Sequence, residues 1–187
     1  TNPEQPTLSQ MTEKAIQTLS KDKDGFFLFV EGSKPDWAAH ANDPIGMISD
    51  VLAFDEAVAK ALQFAKKDGD TMLIALTDHG NSGISIGNRN TTKGYNTTPV
   101  SAYIVPLKKA EMTLEGTINK LKSDLSNVED VAKLYGLDNL THDEKEKLKA
   151  AKKKMDVGRI LTTLLANRAN IGFTSRRPSG LRKTNVR

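Results

Sequence analysis

Between Thr7 and Leu19 the apolar residues Leu8, Met11, Ala15 and Leu19 recur at three- and four-residue spacing, which predicts an amphipathic helix opened by a threonine cap. Phe26 to Val30 is instead a continuous apolar run, bounded by Lys21 to Gly25 and by Gly32. Such a run suits a strand covered on both faces, as strands of a parallel sheet are. Asp43-Pro44 reads as a helix start, a cap followed by proline at the first helical position. Ile45, Ile48, Leu52, Val58 and Leu62 carry the apolar side of that helix to about Lys67, where Asp68-Gly69-Asp70 ends it. Met72 to Leu76 is a second apolar strand, so the order strand, long helix, strand predicts a βαβ unit with a right-handed crossover.

Beyond Gly80 the pattern changes. Asn81 to Thr98 is rich in Gly, Asn, Ser and Thr and predicts a surface excursion, and Val100 to Val105 reads as a further strand. From Thr113 to about Asn170 the pattern is helical, with Val128-Glu129-Asp130 inside one helix and a capping box at Thr141-His142-Asp143-Glu144. Lys145 to Lys154 is dense in charge, as an exposed helical face is.

A chain of 187 residues with 37% hydrophobic content can bury one ordinary core, and no apolar run reaches the roughly 20 residues of a membrane span. Thr1 to Pro6 lacks the basic start and apolar stretch of a signal peptide. With no cysteine, any metal site must rest on His, Asp and Glu. The net charge of +4 is concentrated at one end: Arg176, Arg177, Arg182, Lys183 and Arg187 lie in the last twelve residues, and without them 22 basic residues face 23 acidic ones. The body is near neutral and the tail is expected to be solvated. Nucleic-acid binding through that tail is the competing expectation, marked by salt-sensitive affinity lost on deletion after Ser175.

Candidate chemistry gathers where the two apolar runs end. The first leads into Glu31-Gly32-Ser33-Lys34-Pro35-Asp36-Trp37-Ala38-Ala39-His40, the second into Thr77-Asp78-His79-Gly80. In an open parallel sheet, ligands collect beyond the carboxyl ends of strands. Asp36 and His40 are four apart, a spacing that brings both to one side if the stretch is helical and that allows a shared cation in a compact loop as well. Asp78 and His79 are adjacent, so they can share a cation only if the chain has left the strand, a turn that Gly80 would permit. Each alone has a plain structural role open to it, such as a cap or an ion pair, and Trp37 reads as packing. Together, three carboxylates and two histidines suit a cluster of zinc with a harder ion such as magnesium.

Phe-Val-Glu-Gly followed by Asp36 and His40, the Asp-Pro and Ala-Phe-Asp-Glu-Ala of the next helix, and Leu-Thr-Asp-His-Gly are similar in order and spacing to the metal-binding segments of alkaline phosphatases. The resemblance, strongest to bacterial secreted members of Bacillus type, runs through about Phe173 and reads as the C-terminal portion of that family. It implies a three-layer α/β sandwich with a largely parallel sheet flanked by helices, present incompletely here. It further implies that Asp36 and His40 bind a first zinc, Asp78 and His79 a second zinc, and Glu31 a magnesium ion. Hydrolysis of phosphate monoesters through a phosphoserine, with release of inorganic phosphate, follows from the same resemblance, as do a homodimer and a secreted, periplasmic or cell-surface location.

The chain departs from the family at identifiable places. Trp37 stands where other members often carry Lys or His, at a position that would tune the magnesium site. No serine here matches the family nucleophile, which with its arginine and bridging aspartate is expected upstream, so no catalytic residue is assigned to this chain. The family's remaining zinc histidine belongs to a Gly-Gly-His segment expected after Gly172-Phe173-Thr174-Ser175, where this chain reads Arg176-Arg177-Pro178. His142, within a capping sequence, is a poor substitute. Codons for Arg-Arg-Pro can contain Gly-Gly-His in a neighbouring frame, so residues 1–175 are read as the catalytic-domain portion and 176–187 as an out-of-frame basic tail. The expected activity of the chain alone is negligible, and a noncatalytic metal- or phosphate-binding module is the alternative function.

Overall fold

The computed structural model describes residues 4–174, so the basic tail and the boundary drawn at Ser175 lie outside the described residues. The chain divides into two compact units, one made of Thr1–Ala38 with Gly46–His79 and the other of Ala39–Ile45 with Gly80–Arg187.

In the first unit, helix α1 (Leu8–Leu19) is opened as expected by Thr7, whose hydroxyl accepts from the Gln10 amide while the Gln10 side chain returns to the Thr7 amide. The buried stripe of α1 is Ser9, Thr12 and Ile16, and Met11 and Leu19 are exposed, so the helix buries a different face from the one its apolar spacing predicts. Thr12 accommodates this burial by donating its hydroxyl to Leu8 O at 2.8 Å. Helix α2 (Lys34–His40), whose last two residues belong to the second unit, is followed by the long α3 (Pro44–Asp68), whose first two do as well; α3 starts and ends where the sequence places it. Ala57 is buried on α3, and Phe54, Val58, Ala61, Phe64 and Ala65 are partly buried at helical spacing around it. Ile48, Val51, Leu52 and Leu62 are exposed, so α3 is apolar over more of its girth than this unit covers.

Along Phe26 to Val30 burial alternates with a period of two: Phe26, Leu28 and Val30 are partly covered, and Phe27 and Phe29 are exposed. Phe26 meets Phe64 of α3 with ring centroids 6.1 Å apart and a tilt of 54°. Gly32 is needed for close approach, because a Cβ there would sit 2.5 Å from the Phe54 ring. Neither this run nor Met72 to Leu76 forms a ladder among the described residues. The helix of the expected βαβ unit is therefore present, and its parallel sheet is not among the described residues.

The second unit is helical. Helices α4 (Ser101–Lys108), α5 (Leu114–Asn119), α6 (Val128–Leu134), α7 (His142–Lys149) and α8 (Lys154–Arg168) build it, with a short antiparallel ribbon of β1 (Ser85–Ile86) and β2 (Ile171–Gly172). The register pairs Ser85 with Gly172 and Ile86 with Ile171. Val157, Leu161, Leu164 and Leu165 of α8 form the apolar spine, packed with Leu114, Val131, Tyr135 and Leu148. Each fully buried leucine of that set contributes about 1.5–3 kcal/mol. Gly158 lets α5 close on α8, since a Cβ there would meet the Ile118 side chain at 2.7 Å.

The capping box at Thr141 forms as expected, with Glu144 returning to the Thr141 amide at 2.9 Å. Burial alone would raise the Glu144 pKa, yet the Thr141 amide and the Arg168 guanidinium at 2.9 Å leave it below its ordinary value. The strand expected over Val100 to Val105 is a correction: the segment is the helix α4. A strand needs a neighbour for its amides, whereas here Ala102 and Tyr103 donate within the segment to Pro99 O and Val100 O, and Leu107 packs on the helical core. Among the described residues, no helix is long and apolar enough to cross a membrane.

Candidate functional site

Helix α2 carries Asp36 in its first turn and His40 in its last, which fixes their four-residue relation. Asp36 is partly buried and His40 exposed. Between them Trp37 is 60% exposed, and the Lys34 ammonium lies 4.2 Å from its ring centroid. Trp37 is thus a surface aromatic holding a cation and not the packing residue its type suggested. Glu31, three residues before α2, is exposed.

At the end of the second apolar run the chain bends at Asp78, and the Thr77 hydroxyl donates to His79 O at 2.7 Å. This local turn brings His79 Nε2 to 3.5 Å from Asp78 Oδ2, a proximity that the opposite-facing side chains of a regular strand do not allow. Gly80 is not among the residues with positive φ, so the Thr77 bond and the bend at Asp78 make the turn.

Among the described residues no three His, Asp or Glu side chains converge into a metal-holding group. The chain offers acid–histidine pairs: Asp36 with His40 on one helix, and Asp78 with His79 at one bend. Imidazole and carboxylate donors of this kind fit zinc, and the additional carboxylate of Glu31 fits magnesium. His142 is the first residue of α7, within its capping box, as its sequence context implies.

A buried polar network lies just past His40. Asp43 is buried, and its carboxylate accepts three hydrogen bonds: from the Ile45 amide at 3.1 Å, the Leu114 amide at 2.7 Å and the Tyr135 hydroxyl at 2.6 Å. Sequence reasoning found only the first of these, the cap on α3. Burial first, then the Asp43 charge and the hydrogen bond to it, hold the Tyr135 phenol well above its ordinary pKa of 10.0. The folded state keeps this proton where the unfolded chain releases it, so the linked stability is intact below pH 10 and is lost as pH rises beyond it. Thermal melting followed from about pH 9 to about pH 11 should therefore fall less steeply in Tyr135→Phe than in the parent. Parallel slopes would contradict a buried, protonated phenol.

Residues 1–182 match the alkaline phosphatase family. The chain belongs to that family. It is similar to alkaline phosphatase 4 of Bacillus subtilis, with 37% identity over 173 residues, covering 91% of this chain and 36% of the relative. An alkaline phosphatase of Escherichia fergusonii is 54% identical over 77 residues, which cover 41% of this chain and 16% of that protein. The crystal structure of a cold-active alkaline phosphatase from a psychrophilic Shewanella superposes with a TM-score of 0.76 at 26% identity, covering 90% of this chain and 40% of that one. The alkaline phosphatase-like fold is thereby supported over most of the chain. The chain spans a little over a third of the length of the Bacillus relative.

Proposed function

We propose that this chain is the metal-ligating portion of a phosphate monoester hydrolase, with Asp36 and His40 holding one zinc, Asp78 and His79 a second, and Glu31 a magnesium ion. The observation that carries the reading is the family match over residues 1–182, which encloses both acid–histidine pairs. Bound divalent ions would supply Lewis acidity toward phosphate oxygens and activate an oxygen nucleophile. This chain's part is to present donors of the right kind from α2 and from the bend at Asp78, with the serine that would carry the phosphoryl group supplied by a longer chain.

On the same reading, Phe26 to Val30 and Met72 to Leu76 become strands of a parallel sheet once further chain covers them. Their exposure supports this: Phe27 is 87% exposed, Met72 82% and Leu76 75%, and large apolar side chains clustered along a short run in this way mark a surface that another segment covers.

Purified chain supplied with zinc, magnesium and a chromogenic phosphate ester is expected to turn over at the background rate. Robust zinc-dependent turnover would overturn the view that the chain lacks its nucleophile.

A further inference from the structure

His40 is an exposed side chain on a buried mount. Ala39 on one side is 4% exposed and Asp43 on the other 3%, and Pro44 is fully buried. Between them Ala41 and Asn42 form a tight return in which Asn42 takes φ 51° and donates to Ala39 O at 2.9 Å. Asparagine tolerates that left-handed conformation better than most residues, so the link from His40 to Asp43 is short and conformationally specified. What fixes its far end is not local. Asp43 reaches the first amide of α5 and the hydroxyl of Tyr135, the residue that closes α6, and Tyr135 is itself fully buried in the helical core.

We propose that Asp43 and Tyr135 are positioning residues for His40, transmitting the rigidity of the helical core to the one proposed ligand that belongs to the same unit. A cap alone would need only the Ile45 amide. A carboxylate that also takes two donors from residues 71 and 92 positions away fixes the junction in rotation as well as in place. Partners behind a metal ligand matter because binding loses affinity when the donor must be ordered at the moment of binding. The proposal rests on the reading of His40 as a zinc ligand.

The test uses the 187-residue chain, zinc ion as the probe, and NMR of the histidine imidazoles with amide hydrogen exchange. Tyr135→Phe keeps the ring and removes the hydroxyl. Val131→Ala, in the same helix and the same core, is the control for plain loss of stability. Tyr135→Phe should weaken the zinc response of the His40 imidazole by about tenfold or more, as loss of outer partners does elsewhere. It should also speed exchange at the Asn42 and Ile45 amides, with Val131→Ala changing neither beyond its effect on the whole core. Asp43→Asn, which replaces one carboxylate oxygen with a donor, should act in the same direction. Equal effects of Tyr135→Phe and Val131→Ala overturn the proposal. An imidazole of His40 that ignores zinc in the parent chain overturns the ligand reading instead, and unchanged exchange at Asn42 and Ile45 in Tyr135→Phe then rejects the anchoring as well.

Discussion

Asp43→Ala should destabilise the helical unit by about 3–4 kcal/mol, measured by urea unfolding followed through the helical circular dichroism signal. Three donors converge on this carboxylate, and two of them, the Tyr135 hydroxyl and the Leu114 amide, belong to residues without free access to water. Truncation would remove charge-assisted hydrogen bonds and leave those donors buried and unpaired, each at a cost of about 1–3 kcal/mol. The losses overlap because one side chain serves all of them, so the expected total lies below their sum. The same change would remove the cap of α3, an effect of about 1 kcal/mol by itself. A measured loss under about 1 kcal/mol would mean that the carboxylate acts as a cap alone and that water reaches Tyr135 and Leu114.

This network shows where sequence reading stops. Caps are local, so Thr7, Thr141 and the Asp43-Pro44 start were legible from a few residues each, and the structure forms all three. The bond from Tyr135 to Asp43 joins residues 92 apart, and nothing in either neighbourhood signals the other. Strands have the same difficulty, because a run of apolar β-formers becomes a strand only when a neighbour takes its amides. Val100 to Val105 has β-branched and aromatic residues, yet with its amides bonded within the segment it folds as α4. In α1 the apolar spacing gave the helix but not its buried face, since Thr12 can hide its hydroxyl on the Leu8 carbonyl and Met11 is left outside. The acid–histidine pairs stand out in the sequence for a different reason: their residue types and order form a pattern that survives without knowledge of the fold. Their spacing then acquired local geometry, a helix for Asp36 and His40 and a bend for Asp78 and His79.

In a chain extended to the length of its relatives, His79→Ala and Asp78→Asn should each lower kcat/KM for a phosphate monoester by at least about a hundredfold while leaving thermal stability nearly unchanged. The two effects separate because of where these side chains sit. Asp78 is 88% exposed and His79 57%, and the bend that presents them is made by the Thr77 hydroxyl and the His79 backbone carbonyl, which both substitutions retain. Surface changes of this kind usually stay within about 0.5 kcal/mol in stability. Two polar side chains are held 3.5 Å apart at this exposed bend, and the proposed reading gives them a bound partner. If that is a cation, raising free zinc should restore part of the activity of Asp78→Asn, which keeps one oxygen donor, and less of that of His79→Ala, which keeps none. Losses below about threefold in both variants would remove the bend from the catalytic site, because a donor to an essential ion cannot be deleted so cheaply.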